Sequence, residues 1–315
     1  MESYFMKKKL SICIPTYNRE GKLRLQIQFL LNELSSLDAP LRDLVEIIVS
    51  DNASTDGTAQ FMNGLFHNNV QYYCNKENEG IVANAYKVVG YADGEFIWVV
   101  GDDDILNKGV LGRVFEIIYE YPNLNFIYLN HLYIDGDKIS DSKCYRGGFG
   151  FYKGVYPMIS RQDFYLNSSA LGLTASVVFK RKIVMSVIDV LPLDQKMDYG
   201  WSFIAGLYGA NLGNGFFEKK VWLYDQMSGK SWTDYMYTAL YGSLCSTMRL
   251  LKLGFSIRKV WEICHSFGEI PNLVDSLLEE ILISGKQSSM AKKLLIALLI
   301  FDTKHTISEI FMQDG

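Results

Sequence analysis

Short apolar runs alternate with helix-spaced segments through the first third of the chain. Leu10–Ile14 is apolar and β-branched, is stopped by Pro15, and reads as a buried strand. From Glu20 to Leu37 the apolar positions Leu23, Ile27, Leu30, Leu31 and Leu34 recur at helical spacing. Val45–Val49 predicts a second strand, Thr58–Leu65 a helix and Val70–Cys74 a third strand. Ile81–Val89 predicts a helix behind the breaker Asn78-Glu79-Gly80. Phe96–Val100, wholly apolar, predicts a fourth strand, and Lys108–Tyr121 the helix after it. Strands apolar on both faces and separated by helices mean an α/β fold, with a mostly parallel, Rossmann-like sheet flanked by helices.

Further along the pattern is looser. Asp135 to Gly154 is Gly-rich and polar, with Gly147, Gly148, Gly150 and Gly154 close together, and predicts a mobile loop over a site. Ser160 with Asp163 resembles a capping box opening a short helix. Ala175–Phe179 and Phe216–Leu223 predict strands, and Arg181–Val190 and Tyr199–Tyr208 helices. From Tyr235 onward the pattern is helical, with Leu240, Leu244, Met248 and Leu251 on one face. The expected organisation is residues 1–130 and 131–232 as two halves of one α/β domain, then a C-terminal helical region over 233–315.

In such sheets ligands bind at the carboxyl ends of the strands, and the conspicuous polar residues collect there. Thr16, Tyr17, Asn18 and Arg19 follow the first strand, Asp51 and Asn52 end the second, and Asp102, Asp103 and Asp104 follow the fourth. Neither G-x-G-x-x-G nor G-x-x-x-x-G-K-[ST] is present, so the usual dinucleotide and P-loop cradles are missing. With 315 residues, 49% hydrophobic and 21% charged, the chain builds a large core. Its net charge of −4 argues against a nucleic-acid partner. Five cysteines without a C-x-x-C pair fit reduced thiols in a cytoplasmic protein.

The apolar stretch behind Lys7, Lys8 and Lys9 is cut by Pro15, too short for a signal core, and Met6 offers a second candidate start. Leu294–Phe301 is far short of a membrane span. Next to Lys292 and Lys293 it reads either as a face lying on the membrane or as one packed on neighbouring helices or a second copy in a homodimer.

Three adjacent carboxylates repel one another by roughly 1 kcal/mol per pair even in bulk water, so something positive must offset the triplet. With four histidines scattered along the chain, the natural partner is a hard cation, Mn²⁺ or Mg²⁺; the alternative is an acidic turn capping the helix near Lys108. Ser50 to Gly57 is turn-forming, and Asp56 is placed to cap the next helix. Gly80 permits either a tight loop or close approach of a ligand to the backbone. Arg19 and Lys76 face a diphosphate or are surface charges.

Taken in order, the runs Ser11–Arg19, Ile48–Thr58, Asn78-Glu79-Gly80 with Asn84, and Trp98–Asp104 resemble the signature of family 2 glycosyltransferases with the GT-A fold. Gly101-Asp102-Asp103-Asp104 after an aromatic-containing strand is similar to members that build capsule or O-antigen, abequosyltransferase-like enzymes among them. The resemblance implies inverting transfer of a sugar from a nucleotide-diphosphate sugar to an acceptor hydroxyl. That acceptor is a saccharide, lipid-linked where synthesis occurs at the inner face of the plasma membrane.

By the same resemblance Thr16, Tyr17 and Arg19 line the nucleotide pocket, and Asp51 accepts a hydrogen bond from the base. Asn78, Gly80 and Asn84 lie beside base and ribose, Asp102 and Asp103 near ribose and donor sugar, and Asp104 holds the metal. Inversion needs a base, and the candidates are Asp189, Asp194, Asp198 and Glu218. Asp198 is preferred because it precedes the helix Tyr199–Tyr208, although it equally suits an N-cap. Trp232 and Asp234 are placed to meet the acceptor, with a buried structural tryptophan as the other reading. A nucleotidyltransferase and a non-catalytic nucleotide- or sugar-binding module are the alternatives to transfer.

Overall fold

The computed structural model describes residues 8–135, 138–140, 173–190, 200–226 and 249–256. The first half alternates β1 (Leu10–Thr16), α1 (Glu20–Ser35), α2 (Ala39–Asp43), β2 (Val45–Asp51), α3 (Thr58–Asn63), β3 (Val70–Cys74), α4 (Ile81–Gly90) and β4 (Phe96–Val99). It continues through β5 (Ile105–Leu106), α5 (Val110–Glu120), β6 (Phe126–Asp135) and β7 (Lys138–Ser140). Then come a 3₁₀ turn (Thr174–Ser176), β8 (Val177–Lys180), α6 (Arg181–Val190), α7 (Trp201–Leu212) and β9 (Gly215–Gln226).

Among the described residues nine strands join one sheet in the order β3-β2-β1-β4-β8-β6-β9-β5, with β7 on β6. The β3-β2-β1-β4 half is parallel, as the doubly apolar strands predict. β8 then runs antiparallel to both β4 and β6, so β6 points the same way as β4 and its C-terminal end reaches the same edge. The residue 130/131 division falls within β6, whose pairing with β8 and β9 carries the sheet across it.

Both faces are covered. Leu23, Ile27, Leu30 and Leu34 of α1 pack with Val110, Val114 and Ile118 of α5 beneath Ile12, Ile47 and Trp98. Val82 and Val89 of α4, Val184 of α6 and Ile204 of α7 pack over Cys13, Ile48 and Val99. Trp98 is fully buried, and its indole N–H donates to Ala175 O at 2.7 Å.

Two expectations change. β1 continues through Pro15 to Thr16. Cys13 O accepts from Val100 N and Thr16 O from Asn52 N, so Pro15 turns its missing N–H toward β4, which has already ended at Val99. The short α2 and the strands β5, β6 and β7 are additions, because Phe126–Asp135 mixes Tyr128, Asn130 and His131 into its apolar run. The Gly-rich segment, the Ser160–Asp163 box and Leu294–Phe301 lie outside the described residues, as does most of the region expected to be helical after Tyr235.

Candidate functional site

Strand order reverses between β1 and β4, and clefts open at such a point beyond the carboxyl ends of the strands. Thr16 ends β1 and Asp102 lies beyond β4, and Thr16 Oγ1 donates to Asp102 Oδ2 at 2.7 Å. Arg19, at the N-cap of α1, spans two carboxylates: Nη1 donates to Asp102 Oδ1 at 3.0 Å and to Asp103 Oδ2 at 2.9 Å. Lys22, in the first turn of α1, reaches the same Asp103 oxygen at 3.0 Å. Asp104 folds back, its Oδ2 accepting from Gly101 N at 2.6 Å. A Cβ on Gly101 would sit 2.9 Å from that oxygen, so a larger residue here would have to displace the Asp104 carboxylate.

Part of the expected positive offset therefore comes from the chain itself. Asp102 is buried while Asp103 and Asp104 are half-buried. Burial lifts the Asp102 carboxyl above the ordinary aspartate range and Asp103 adds to the lift, against the pull of Thr16 and Arg19. Burial works against the Arg19 charge, but the two carboxylates hold its pKa above the ordinary value. The triplet does not cap α5: Gly109 N donates to both Glu33 oxygens at 2.9 and 3.0 Å, and Leu111 N to Oε2 at 3.2 Å.

The loops beside this corner are laced together. Asn18 and Ala53 both adopt left-handed backbone, at φ 51° and 62°. Asn18 N donates to Ser54 Oγ at 2.8 Å, and its side-chain oxygen accepts from Thr55 N at 2.7 Å. Asp56 accepts from Glu20 N and Thr58 N at 3.0 Å each, so it serves the starts of both α1 and α3. Burial works against it, yet hydrogen bonds from Thr58 and Glu20 hold the Asp56 carboxyl below its ordinary range.

Asp51 is buried and accepts from Ser54 N at 2.9 Å and from Tyr72 Oη at 2.7 Å. Burial and that carboxylate push the Tyr72 phenol up. Asn84 is buried at the root of the same edge. It donates to Ser50 O at 2.8 Å and Thr16 O at 3.4 Å, and accepts from Ser50 Oγ at 2.7 Å and Asn75 Nδ2 at 3.1 Å. With its amide fully engaged, it braces strands β1 and β2. Asn78 and Tyr17 are exposed at the rim, and Gly80 (φ 92°, ψ 163°) opens α4.

Thus Thr16, Arg19, Asp102, Asp103 and Asp104 form one corner, and Asp51, Asn78, Gly80 and Asn84 an adjoining wall. Asp198, Trp232 and Asp234 lie outside the described residues, as does Asp194. Of the other base candidates, Asp189 is exposed on α6 and Glu218 is held by Arg113 Nε at 2.6 Å. The pattern along the chain did not single out Lys22 or Tyr72, nor the reach of Asn52. Lys22 was legible only as one helical turn beyond Arg19.

The donor chemistry fits a hard cation, since every side chain at the triplet offers carboxylate oxygen. Among the described residues no group of three or more His, Cys, Asp or Glu encloses an ion by itself. A magnesium-like ion held through one or two carboxylates normally takes its remaining ligands from substrate phosphates and water.

The model of glycosyl transferase family 2 matches residues 11–183, more than half of the chain. The chain belongs to glycosyl transferase family 2. Its sheet and flanking helices form the GT-A fold. Over 106 residues it is 39% identical to abequosyltransferase RfbV of Salmonella typhimurium, covering 32% of this chain and 30% of that protein. Over 111 residues it is 32% identical to the GalNAc(5)-diNAcBac-PP-undecaprenol beta-1,3-glucosyltransferase of Campylobacter jejuni, covering 34% of each. The matched stretch spans about a third of these curated relatives' length. In structure it is similar to S. aureus TarS 1–349 in complex with UDP-GlcNAc, with TM-score 0.63 and 16% identity over 92% of this chain and 79% of that one. The Thr16–Asp102 corner and the Asp51–Gly80 wall lie at the carboxyl ends of the parallel strands of that fold.

Proposed function

We propose that the chain is an inverting glycosyltransferase that moves a sugar from a nucleotide-diphosphate sugar to an acceptor hydroxyl in bacterial surface polysaccharide synthesis. The observation that carries this reading is the meeting of Thr16, Arg19 and the Asp102–Asp104 triplet at the switch point between β1 and β4. Residues 1–130 hold the donor and 131–232 the acceptor. The relatives named for abequosyl and glucosyl transfer support the class, and the undecaprenol in one name supports a lipid-linked saccharide acceptor. Among the described residues no helix is long and apolar enough to cross a membrane.

In this reading Asp51 and Asn78 face the base, and Gly80 lets the ribose approach the backbone. Thr16 and Arg19 hold Asp102 ionised toward ribose and donor sugar, with Tyr17 closing the rim. Mn²⁺ or Mg²⁺, held by Asp104, would supply Lewis acidity to the departing nucleoside diphosphate. Asp198 takes the proton of the acceptor hydroxyl as it attacks from the face opposite the diphosphate. Trp232 and Asp234 meet the acceptor.

The test is product release from a panel of UDP-, dTDP-, CDP- and GDP-sugars with Mn²⁺. One nucleotide class should yield the free nucleoside diphosphate, and Asp104→Asn should lower that rate by about 100-fold or more, the scale for losing one preorganised charge. Release of pyrophosphate would mean a nucleotidyltransferase, and binding without turnover a non-catalytic module.

A further inference from the structure

One heavily bonded side chain at this edge is used by no part of the reading above. Asn52 follows Asp51 at the end of β2 and is only 3% exposed. Its Nδ2 donates to Asn78 Oδ1 at 2.8 Å and to Gly80 O at 3.2 Å. Its Oδ1 accepts from Asn75 Nδ2 and from Glu79 N, each at 3.0 Å. All four bonds cross from the β2 end to the segment between β3 and α4. None goes to its own strand or turn.

From the β2 side the backbone of that segment is also held by Asn75 N, which donates to Asp51 O at 2.8 Å. Gly80 sits at φ 92° and ψ 163°, a conformation open only to glycine, and its N–H returns to Asn78 Oδ1 at 3.0 Å. The same Asn78 oxygen thus receives both Asn52 and Gly80. Asn75 passes the link inward to Asn84 and outward to Lys87, which donates to Asn75 Oδ1 at 3.2 Å and pairs with Glu79. Next to Asn52, Ala53 is held at φ 62°, where a non-glycine residue is strained unless its surroundings impose it. The amide of Asn52 ties the strand end carrying Asp51 directly to Asn78 and Gly80, beside the Asn75 N–H that donates to Asp51 O and the Asn84 amide that holds Ser50.

We infer that Asn52 is a positioning residue for the donor: it presets the Asn78–Gly80 segment against Asp51 so that the base and ribose of a nucleoside diphosphate enter a formed slot. This rests on the nucleotide-sugar reading. Its chemical content is that both donor hydrogens of the amide are needed. Asn52→Asp keeps the size and both acceptors but removes both donors at neutral pH. It also puts a carboxylate near Asp51 and Glu79, with Lys87 as the neighbouring cation.

The probe is whichever of UDP, dTDP, CDP and GDP the wild-type chain binds most tightly by calorimetry with Mn²⁺ present. Asn52→Ala and Asn52→Asp should each weaken that binding 10-fold or more and raise the donor KM more than they lower kcat. Calorimetry with Mn²⁺ alone should be unchanged, since the Asp104 corner is not touched. As pH falls through the range in which the introduced carboxyl takes up a proton, it regains one O–H donor toward Asn78, and Asn52→Asp should recover several-fold of its lost affinity. Asn52→Ala should not recover. A variant that was merely misfolded would lose further affinity in acid. Wild-type affinity in both variants, or loss without acid recovery in Asn52→Asp, overturns the inference while leaving the donor reading intact. If the wild-type chain binds none of the four nucleotides, the donor reading falls and this inference falls with it.

Discussion

Arg19 and Lys22 touch the same carboxylate oxygen, yet their surroundings assign them unequal weight. Arg19 bridges the buried Asp102 and the half-buried Asp103, whereas Lys22 meets Asp103 alone with half of its side chain in solvent. A bond to a buried charged partner is worth about 1.5–3 kcal/mol, and an exposed pair under about 1 kcal/mol. Arg19→Ala should therefore lower kcat/KM about tenfold or more after allowance for solvent screening, and Lys22→Ala by less than about fivefold. Equal losses in steady-state kinetics would refute that ranking. The two substitutions also separate on pH. Burial raises the Asp102 carboxyl and Arg19 opposes it, so Arg19→Ala lets the carboxyl rise further. In the proposed reading the donor site needs that carboxylate ionised, so the acid limb of kcat/KM should move to higher pH. In Lys22→Ala, which leaves the Asp102 contacts in place, the limb should stay where it is.

Elements show a sharper division between what the chain's pattern discloses and what only packing decides. β1, β2 and β4 were legible because their runs are mostly apolar and buried, β3 as a short aromatic and β-branched run at the edge, and the acidic triplet because nothing in a core explains it. β6 was hidden by its polar residues, and the antiparallel run of β8 leaves no mark in apolar periodicity. The capping of α5 was equally invisible, since Glu33 lies 76 residues from the Gly109 amide it receives. That carboxylate is buried, so its loss leaves helix-opening amides without their acceptor. Glu33→Ala should cost about 2–3 kcal/mol in urea unfolding, and Glu33→Gln, which keeps one acceptor oxygen, distinctly less. At the other helix start, Gly80→Ala meets open space but a forbidden backbone, a penalty of about 1–3 kcal/mol. Its expected signature is a raised donor KM with a small fall in Tm. A normal KM would place Gly80 outside the donor slot.

At the scale of the molecule, the sheet carries chemistry at one edge and an ionic clasp at the other. Lys9, just ahead of β1, meets Glu95 Oε2 at 2.6 Å, and Lys180, ending β8, meets Glu95 Oε1 at 3.3 Å. Glu95 precedes β4, so one carboxylate joins three strands where the parallel half passes into the mixed half. Burial works against the Glu95 charge, yet Lys9 and Lys180 hold its carboxyl below the ordinary glutamate range. With the folded value below the unfolded one, the clasp contributes fully above the unfolded value near 4.3 and is lost as pH falls through the folded value. About a third of the carboxylate is in solvent, so the contribution is under about 1 kcal/mol. Glu95→Gln should then lower Tm by about 1 °C at pH 7, where the clasp is intact. The difference between wild type and variant should shrink as the pH falls through the lowered folded value, because the wild-type carboxylate then takes up its proton. A Tm difference that stays constant from pH 7 through that fall would show that the amide disturbs packing, and that the charge on Glu95 contributes nothing to holding the two halves of the sheet together.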